Sequence, residues 1–232
     1  MIGLRVIECG PGTSLQDIGR FGFRRFGVST SGTMDRRSAA LANALVGNAA
    51  GSAVIEFHML GGRFLVEEGP VVIATVGAKC VLRIAGKLIN MGCSARAEPG
   101  EIVEVGSVRQ GVFAYVAVSN GFDLTPELGS LSVHRRSGIG GSTLVSGVFL
   151  TVAAAPRPLM KMSLPEPDIG PIRVVPGPQN DYFITGALNA LCSSSYTIRS
   201  HSDRMGYSLI GPALHLLGDA NIISDGVLPG SI

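Results

Sequence analysis

Short runs of apolar and β-branched residues dominate the first 155 residues, and Gly-rich turns separate them. Strands of about four to eight residues bounded by Gly, Pro, Asn and Asp have this pattern. It predicts a mainly β protein with a barrel or sandwich architecture. The predicted strands are Leu4–Glu8, Ala53–Phe57, Val71–Val76, Cys80–Ile84, Ile102–Val105, Val112–Ser119 and Val148–Ala153.

One segment has the period of a helix instead. Between Asp35 and Val46, apolar side chains recur at spacings of three and four residues, which places them on one face of a helix. Thr33 or Asp35 can cap the first turn, and Gly47 with Asn48 can end the helix. The sequence therefore predicts a mainly β chain with a few short helices.

A proline-rich segment divides the chain. Five prolines between residues 155 and 171 exclude a helix or a central strand there. We predict an N-terminal β-rich subdomain over residues 1–158, a linker over 159–171 and a second subdomain over 172–232. Ile172–Gln179 echoes Leu4–Gly12 as a strand followed by a Gly-Pro turn. Either the chain contains a duplication, or the match arises by chance in glycine-rich sequence.

Composition and charge restrict the partners. The 232 residues are 46% apolar, which is enough to bury a core without a disulfide or a metal. The net charge is +2 and no run of like charge exceeds two residues. We therefore predict no nucleic-acid partner and no membrane partner, and expect a small molecule or another protein.

The cysteines and the N-terminus indicate a cytoplasmic protein. The four cysteines, at positions 9, 80, 93 and 192, form no C-x-x-C pair, so we expect reduced thiols. The N-terminus lacks the basic start and apolar stretch of a signal peptide. The four histidines are far apart in sequence and form no H-x-H or H-E-x-x-H pattern, so no metal site is predicted. No phosphate-binding loop of the common types is present.

Polar residues concentrate in two glycine-rich loops, Thr13–Arg20 and Gly27–Asp35. In such loops, backbone N–H groups and a guanidinium can converge on an oxyanion. The alternative is that Asp17 caps a turn and pairs with Arg20, because Asp and Ser beside Gly are ordinary turn formers. The candidate site residues of these loops are Gln16, Asp17, Arg20, Ser29, Ser31 and Asp35.

Further candidates lie outside these loops. Asn43 is in the predicted helix, and Glu56 is near the end of a strand whose alternation lets it face either a site or the core. His201 precedes Ser202, Asp203 and Arg204, but a catalytic triad is set by geometry and not by neighbours in sequence. Met160-Lys161-Met162 resembles the tip of a biotin carrier domain. Its proline-rich surroundings argue against that role.

Six motifs, taken together and in their order along the chain, resemble those of the biotin-dependent carboxyltransferase family, and the resemblance covers essentially the whole chain. That family includes the C subunit of bacterial 5-oxoprolinase, the allophanate hydrolase subunit 2-like proteins and half of the carboxyltransferase domain of urea carboxylase. The motifs are Gly12–Arg20, Gly27–Asp35, Ala42–Asn43 with Val46–Asn48, the strand that ends at Glu56, Leu128–Ser130 and Ser202–Gly206.

The resemblance implies a cyclophilin-like β-barrel architecture with two subdomains, and a homologous smaller partner subunit of related fold. It makes catalytic candidates of Arg20, Asp35, Gln16 and Asp17. It makes substrate-binding candidates of Ser29, Ser31, Asn43, Glu56, Ser202, Asp203 and Arg204.

The function that the resemblance favours is that of a subunit of a cytosolic enzyme acting on a small amide. The first hypothesis is ATP-dependent hydrolysis of 5-oxoproline to glutamate, with ATP bound by or with a partner such as a lactam-utilisation subunit. The second is carboxyl transfer from carboxybiotin to urea or a related amide, beside a biotin carboxylase subunit. The third is a regulatory subunit that binds a partner and catalyses nothing.

The chain departs from the family pattern at a few points. Asn120-Gly121 stands where the family has Gly-Gly, Leu131 where it has Arg, and Gly147-Val148 where it has Gly-Asp. Family sequences also continue beyond the position of Ile232. We therefore expect the second subdomain to be incomplete.

Overall fold

The chain forms two units in the computed structural model, Met1–Glu166 and Pro167–Ile232. The structure describes residues 1–153, 157–166, 170–218 and 230–232. Residues 167–169 of the predicted linker and 219–229 of the predicted second subdomain lie outside the described residues. The subdomain limits 1–158, 159–171 and 172–232 stay a prediction.

The described part of the first unit contains eleven strands, one α-helix and a short 3-10 helix at Arg24–Phe26. The helix α1 is Arg36–Leu45. The strands are β1 (Gly3–Cys9), β2 (Ser14–Gln16), β3 (Val54–His58), β4 (Gly62–Glu67), β5 (Val71–Lys79), β6 (Leu82–Ile84), β7 (Lys87–Ile89), β8 (Ser94–Ala97), β9 (Ile102–Val105), β10 (Gln110–Val118) and β11 (Phe149–Thr151).

The strands of the first unit form two antiparallel sheets. The six-stranded sheet has the order β11-β1-β4-β9-β6-β7, and the five-stranded sheet has the order β2-β3-β10-β5-β8. The prediction of a mainly β protein with a few short helices is confirmed. No ladder joins the two sheets among the described strands, so closure of the barrel stays a prediction.

Alternation along β3 and β10 sends side chains into two apolar layers. Ile55, Phe57 and Val116 face the layer that also contains residues of the six-stranded sheet. Val54 and Tyr115 face the opposite side, where α1 packs. The five-stranded sheet is therefore covered on both faces. This explains why its central strands read as nearly continuous apolar runs.

The helix lies on the five-stranded sheet through its small apolar face. Ala39, Ala42 and Leu45 are buried there, three residues apart on the helix face that the sequence predicted. Asp35, and not Thr33, is the N-cap, because its carboxylate accepts a hydrogen bond from the Ser38 backbone N–H. The predicted helix is confirmed.

All seven predicted strands are confirmed, with ends that shift by a few residues. The sequence did not predict β2, β4, β7 and β8. β2 is three residues long and carries Ser14 and Gln16, which lack β-branched side chains. β4 begins with Gly62, and the Gly61-Gly62 pair is typical of a turn, although the buried and half-buried residues of β4 alternate as in a strand.

The segment Met160–Met162, which is part of the first unit, is hydrogen bonded beside β8. The Ser94 N–H donates to the Met160 carbonyl at 2.9 Å, and the Met162 N–H donates to the Gly92 carbonyl at 2.8 Å. Lys161 forms an isolated antiparallel bridge with Cys93. The segment is thus extended against a neighbouring strand, unlike the hairpin tip of a carrier domain.

The second unit has short elements. They are a 3-10 helix at Asn180–Tyr182, α2 at Ala187–Ser193 and an antiparallel pair of β12 (Thr197–Ile198) with β13 (Leu209–Ile210). The prediction of a strand at Ile172–Gln179, which was based on the repeat, is wrong. Residues 172–178 have no regular structure and pair with no described strand. A strand needs such a partner to satisfy its backbone groups.

Two further findings concern the described residues. None of their helices combines the length and the apolar composition that crossing a membrane requires. No group of three His, Cys, Asp or Glu side chains among them is placed to hold a metal ion. All four cysteines are described, and each is a free thiol.

Candidate functional site

The two polar loops predicted from the sequence lie against each other, backbone to backbone. The Arg20 N–H donates to the Thr30 carbonyl at 2.8 Å, and the Thr33 N–H donates to the Asp17 carbonyl at 2.9 Å. A Cβ at Gly19 would lie 2.5 Å from the Thr30 carbonyl oxygen, and Gly19 has a φ of +94°. Glycine is therefore required for this close approach.

The Asp17 carboxylate joins these loops to a third loop, more than a hundred residues later in the chain. Its Oδ1 accepts hydrogen bonds from the Ser130 and Ser132 hydroxyls, both at 2.6 Å, and from the Gly19 N–H at 2.7 Å. Its Oδ2 accepts from the Leu131 N–H at 2.7 Å. Asp17 caps a turn, as one interpretation predicted, and in addition it holds the third loop in place.

These hydrogen bonds keep Asp17 ionised. Burial raises the pKa of the Asp17 carboxyl, but the hydrogen bonds from Ser130, Ser132, Gly19 and Leu131 outweigh burial and lower the pKa below its usual value. Hydrogen bonds to the charged form of a carboxyl favour that form. At neutral pH the Asp17 carboxylate is therefore ionised and accepts four hydrogen bonds, so it does not act as a general acid.

The third loop begins with a tight turn at Leu128-Gly129. Both residues have positive φ, +52° and +77°, and the Glu127 and Ser130 backbones are bonded to each other across them. Two successive positive φ values are typical of the type I′ turn that closes a β-hairpin. The turn positions the Ser130 hydroxyl for Asp17, which gives a physical reason for the Leu-Gly-Ser pattern.

Arg20 is the largest buried polar side chain at the junction of the three loops, with an exposure of 1%. Its Nη1 donates to the Ser31 hydroxyl at 3.3 Å, and its Nη2 donates to the Ser132 carbonyl. Its Nε has no hydrogen-bond partner among the described residues. No carboxylate of the described residues lies within 4 Å of the guanidinium, so the predicted pairing of Asp17 with Arg20 is wrong.

The Asp35 carboxylate is hydrogen bonded to Ser38 and not to Arg20. It accepts from the Ser38 N–H at 3.0 Å and from the Ser38 hydroxyl at 2.5 Å, which caps α1. No ion pair joins Asp35 to Arg20 in the described part of the chain, and the catalytic role of Asp35 stays a prediction. The carboxylate also offsets Arg36 and Arg37, two cations in the first turn of the helix.

We expect Asp35→Ala to lower the free energy of unfolding by about 1 kcal/mol, the usual loss when an N-cap is removed. Chemical denaturation followed by circular dichroism measures the change. Asp35→Asn is the matched control, because asparagine retains the capping acceptor. Equal losses in the two variants would contradict the capping role.

Glu56 and Tyr115 form a buried polar floor beneath the second loop. They lie opposite each other on β3 and β10, and their exposures are 4% and 0%. Glu56 accepts a hydrogen bond from the Met34 N–H at 2.9 Å, and the Tyr115 hydroxyl accepts from the Asp35 N–H at 2.7 Å. The sequence analysis named Glu56 but missed Tyr115. The signal that could have identified Tyr115 is its pairing with Glu56 across the sheet.

Gln16 and Ser29 support the loops from within. The fully buried Gln16 amide donates to the Ser14 hydroxyl at 2.9 Å and to the Val133 carbonyl at 3.0 Å. The Ser29 hydroxyl accepts from the Ser31 N–H at 3.4 Å. The bond to Val133 joins the first loop to the chain that follows the third loop, whereas the Ser29 contact lies within the second loop.

Asn43 belongs to the connection between α1 and β3. Its amide donates to the Ser52 carbonyl at 2.8 Å, and its side-chain oxygen accepts from the Asn48 amide at 3.1 Å. Asn48 donates in turn to the Val118 carbonyl at 2.8 Å. This network fastens the helix end to β10, and the described contacts give Asn43 a structural role.

The remaining candidates lie in the second unit. Ser202 accepts from the Ser208 N–H at 3.1 Å, and Asp203 accepts from the Met205 N–H at 2.8 Å, which makes a local turn. Burial lowers the pKa of Arg204 to about 10. Ser202, Asp203 and Arg204 stay predictions as site residues.

Comparison with known proteins identifies the family. The sequence profile of the family described as "Carboxyltransferase domain, subdomain A and B" matches residues 26–232. The chain is 32% identical to the C subunit of 5-oxoprolinase from Escherichia coli over 235 residues, which cover 99% of this chain and 75% of that protein. It is also 32% identical to a putative urea carboxylase of Emericella nidulans, covering 91% of this chain and 18% of that protein.

Solved structures agree with the sequence relatives. The crystal structure of TTHA0988 superposes with a TM-score of 0.81 at 32% identity, covering 92% of this chain and 43% of that chain. The urea amidolyase of K. lactis superposes with a TM-score of 0.79 at 28% identity, covering 92% of this chain and 14% of that chain. This chain thus spans less than half of either solved chain. By sequence and by fold, it belongs to the family of carboxyltransferase domains, subdomains A and B.

Proposed function

We propose that this chain is a subunit of a cytoplasmic enzyme complex that hydrolyses 5-oxoproline to glutamate with ATP. Two of its relatives are named as the C subunit of 5-oxoprolinase, a name that implies further subunits. The sequence has no common phosphate-binding loop, so we assign ATP to a partner, such as a lactam-utilisation subunit. The four free thiols agree with a reducing compartment.

The observation that supports this proposal is the buried guanidinium of Arg20. Burial of a charge is costly unless an opposite charge or a full set of hydrogen bonds compensates it. The described partners of Arg20 are a hydroxyl and a carbonyl, and its Nε has none. A side chain held at this cost is suited to bind an anionic group of a substrate or an oxygen that becomes negative during reaction.

5-Oxoproline offers both kinds of group to Arg20. Its carboxylate is ionised at neutral pH, and its lactam carbonyl oxygen becomes negative when water adds to the carbonyl carbon. Amide resonance makes that addition difficult, and the ring C–N bond breaks afterwards. A preorganised donor aimed at such an oxygen lowers the barrier because it needs no reorganisation during the reaction.

The neighbouring residues act on Arg20 or on the loops. Ser31 and Ser132 orient the guanidinium, while Asp17 holds the loop that carries Ser132. In this proposal the loops around the 1%-exposed Arg20 side chain part, so that the guanidinium contacts the substrate, and Asp17 and Gln16 hold those loops. The Ser29 and Ser31 hydroxyls supply hydrogen bonds at the rim.

The second candidate is carboxyl transfer from carboxybiotin to urea or a related amide, beside a biotin carboxylase subunit. It is favoured by the relatives named urea carboxylase and urea amidolyase. Urea is neutral, but carboxybiotin carries a carboxylate, so Arg20 has an anionic group to bind in this reaction as well. We prefer the lactam because the chain matches 75% and 74% of the length of the two 5-oxoprolinase subunits, against 18% and 12% of the two urea enzymes.

Reconstitution tests the proposal. The chain is purified alone and together with the co-expressed partner subunits, and glutamate release is measured with 5-oxoproline and ATP. We expect turnover by the complex and none by the chain alone. ATP-dependent carboxylation of urea by a complex that contains a biotinylated carrier would establish the second candidate instead. Complex formation without either reaction would indicate a regulatory subunit.

A further inference from the structure

Arg20 is buried, although the proposed function requires its guanidinium to reach a substrate, so part of its surroundings has to move. The first two polar loops are joined backbone to backbone, and hydrogen bonds to Asp17 hold residues 130–132 of the third loop. The chain that follows the third loop, residues 134–143, has fewer attachments. We call this segment the Gly140 lid.

The Gly140 lid is anchored at its two ends, beside the first polar loop. Val133, which precedes the lid, donates its backbone N–H to the Leu15 carbonyl at 3.1 Å. Leu144, which follows the lid, donates to the Thr13 carbonyl at 2.8 Å. Between these anchors, residues 135–138 are exposed, and most hydrogen bonds of the lid join its own residues. A segment with few buried contacts opens locally at a lower free energy than the core does.

One side chain from outside the lid holds it closed. The Gly140 N–H donates to Oε2 of the exposed Glu127 at 2.7 Å. Among the residues that the structure describes, this is the single hydrogen bond between the lid and the rest of the chain. Because Glu127 is exposed, water competes for both partners, and the net stabilisation by this bond is small. Glu127 therefore has the properties of a latch that opens readily.

The lid lies directly on the Arg20 guanidinium at Gly140. A Cβ at this position would lie 2.7 Å from Arg20 Nη2, and closer still to the Ser132 carbonyl oxygen. Only a residue without a side chain allows the backbone to approach the guanidinium so closely. Displacement of Gly140 would therefore uncover Nη2.

We propose that the Gly140 lid opens to admit an anionic group of the substrate to Arg20, and that the Glu127 carboxylate is the latch of the closed state. The inference rests on the proposed function only for the identity of the anion. Ser31 and Ser132 lie outside the lid, so they keep the guanidinium oriented while it is uncovered. An anion that binds only the open state shifts the population toward that state. A weaker latch should therefore raise the apparent affinity for the anion.

The reactivity of Arg20 toward phenylglyoxal measures lid opening in the purified full chain, without partner subunits. The reagent modifies accessible guanidinium groups, and peptide mass spectrometry gives the rate at each arginine. In the wild type we expect Arg20 to react at least about tenfold more slowly than the exposed Arg109. Glu127→Ala should accelerate the reaction of Arg20 about threefold or more, because it removes the latch. Glu127→Gln retains an acceptor and should accelerate it less, and Asp123→Ala, the exposed control, should not accelerate it.

Gly140→Ala and Gly138→Ala form a matched pair. Both glycines have positive φ, +79° and +71°, so alanine strains the backbone in both variants. A Cβ at Gly138 meets no atom within 4 Å, whereas a Cβ at Gly140 would push the lid away from Arg20. We expect Arg20 to react about threefold faster in Gly140→Ala than in Gly138→Ala. Alkylation of the buried Cys80 thiol in the same samples should stay slow, which would exclude unfolding of the whole unit as the cause.

The outcomes separate the lid from the proposed function. Equal Arg20 rates in the wild type, Glu127→Ala and Gly140→Ala would overturn the lid, and so would an acceleration that Cys80 shares. A wild-type Arg20 that reacts as fast as Arg109 would also overturn it. Saturating 5-oxoproline should protect Arg20 in Glu127→Ala. Acceleration without this protection would support the lid and contradict 5-oxoproline as the ligand of Arg20.

Discussion

Substitution of Arg20 by methionine is expected to lower the turnover of the reconstituted complex by about a hundredfold, equivalent to about 2.7 kcal/mol of activation free energy. Methionine keeps much of the buried volume but removes the charge and the donors. The free energy of unfolding should change by less than about 1 kcal/mol, because the two lost hydrogen bonds are offset by the end of charge burial. Steady-state kinetics and chemical denaturation of the same variant measure the two effects.

Two further variants make this result interpretable. Arg20→Lys retains a charge but not the planar fork, so it should recover part of the turnover. Arg109→Met removes an exposed arginine and should change neither quantity. Normal turnover with a much lower free energy of unfolding in Arg20→Met would mean that Arg20 is structural. Excess partner should not rescue Arg20→Met, because the variant lacks the guanidinium itself.

Substitution of Asp17 by alanine should have the largest effect on stability. It leaves two buried serine hydroxyls and two backbone N–H groups without their acceptor. We expect the free energy of unfolding to fall by about 3 kcal/mol. For a chain of this size, the melting temperature should fall by about 6 to 12 °C. Circular dichroism measures both, and Asp123→Ala is the control because Asp123 is exposed.

The pH dependence gives a second measurement for Asp17. Its pKa is lower in the folded chain than in the unfolded chain, where an aspartate titrates near pH ~3.9. The ionised carboxylate therefore stabilises the fold above that pH, and the stabilisation is lost as the pH falls through the lowered pKa. The stability difference between wild type and Asp17→Asn should shrink below about pH 4. A difference that is constant with pH would contradict the role of the charge.

The elements that the sequence predicts well are those whose signal is local. α1 has an apolar stripe and a capping aspartate, and the confirmed strands are runs of β-branched residues. β2 escapes prediction because its stability comes from pairing with β3, which no local pattern reports. The composition of the loops made Asp17, Arg20 and Ser31 site candidates, and the structure joins Arg20 to Ser31 and both Arg20 and Asp17 to Ser132.

The partners within the cluster could not be predicted in the same way. Asp17 lies three residues before Arg20, which suggested an ion pair, but Asp17 bonds to Ser130 and Ser132 instead. Neither serine has a local signal, apart from the Leu-Gly-Ser pattern that contains Ser130. Long-range register decides which polar groups meet, and register depends on the whole sheet.

The distance in sequence between Asp17 and its serines bears on how the chain acquires activity. The contacts with Ser130 and Ser132 close loops of 113 and 115 residues. The conformational entropy of these long chain segments must be lost before the hydrogen bonds form. During synthesis, a nascent chain that has emerged only through β10 contains α1 and most strands of both sheets but not the loop that orients Arg20. Collapse of the sheets can therefore precede assembly of the guanidinium site, and competence for catalysis should appear later than compactness in a refolding experiment.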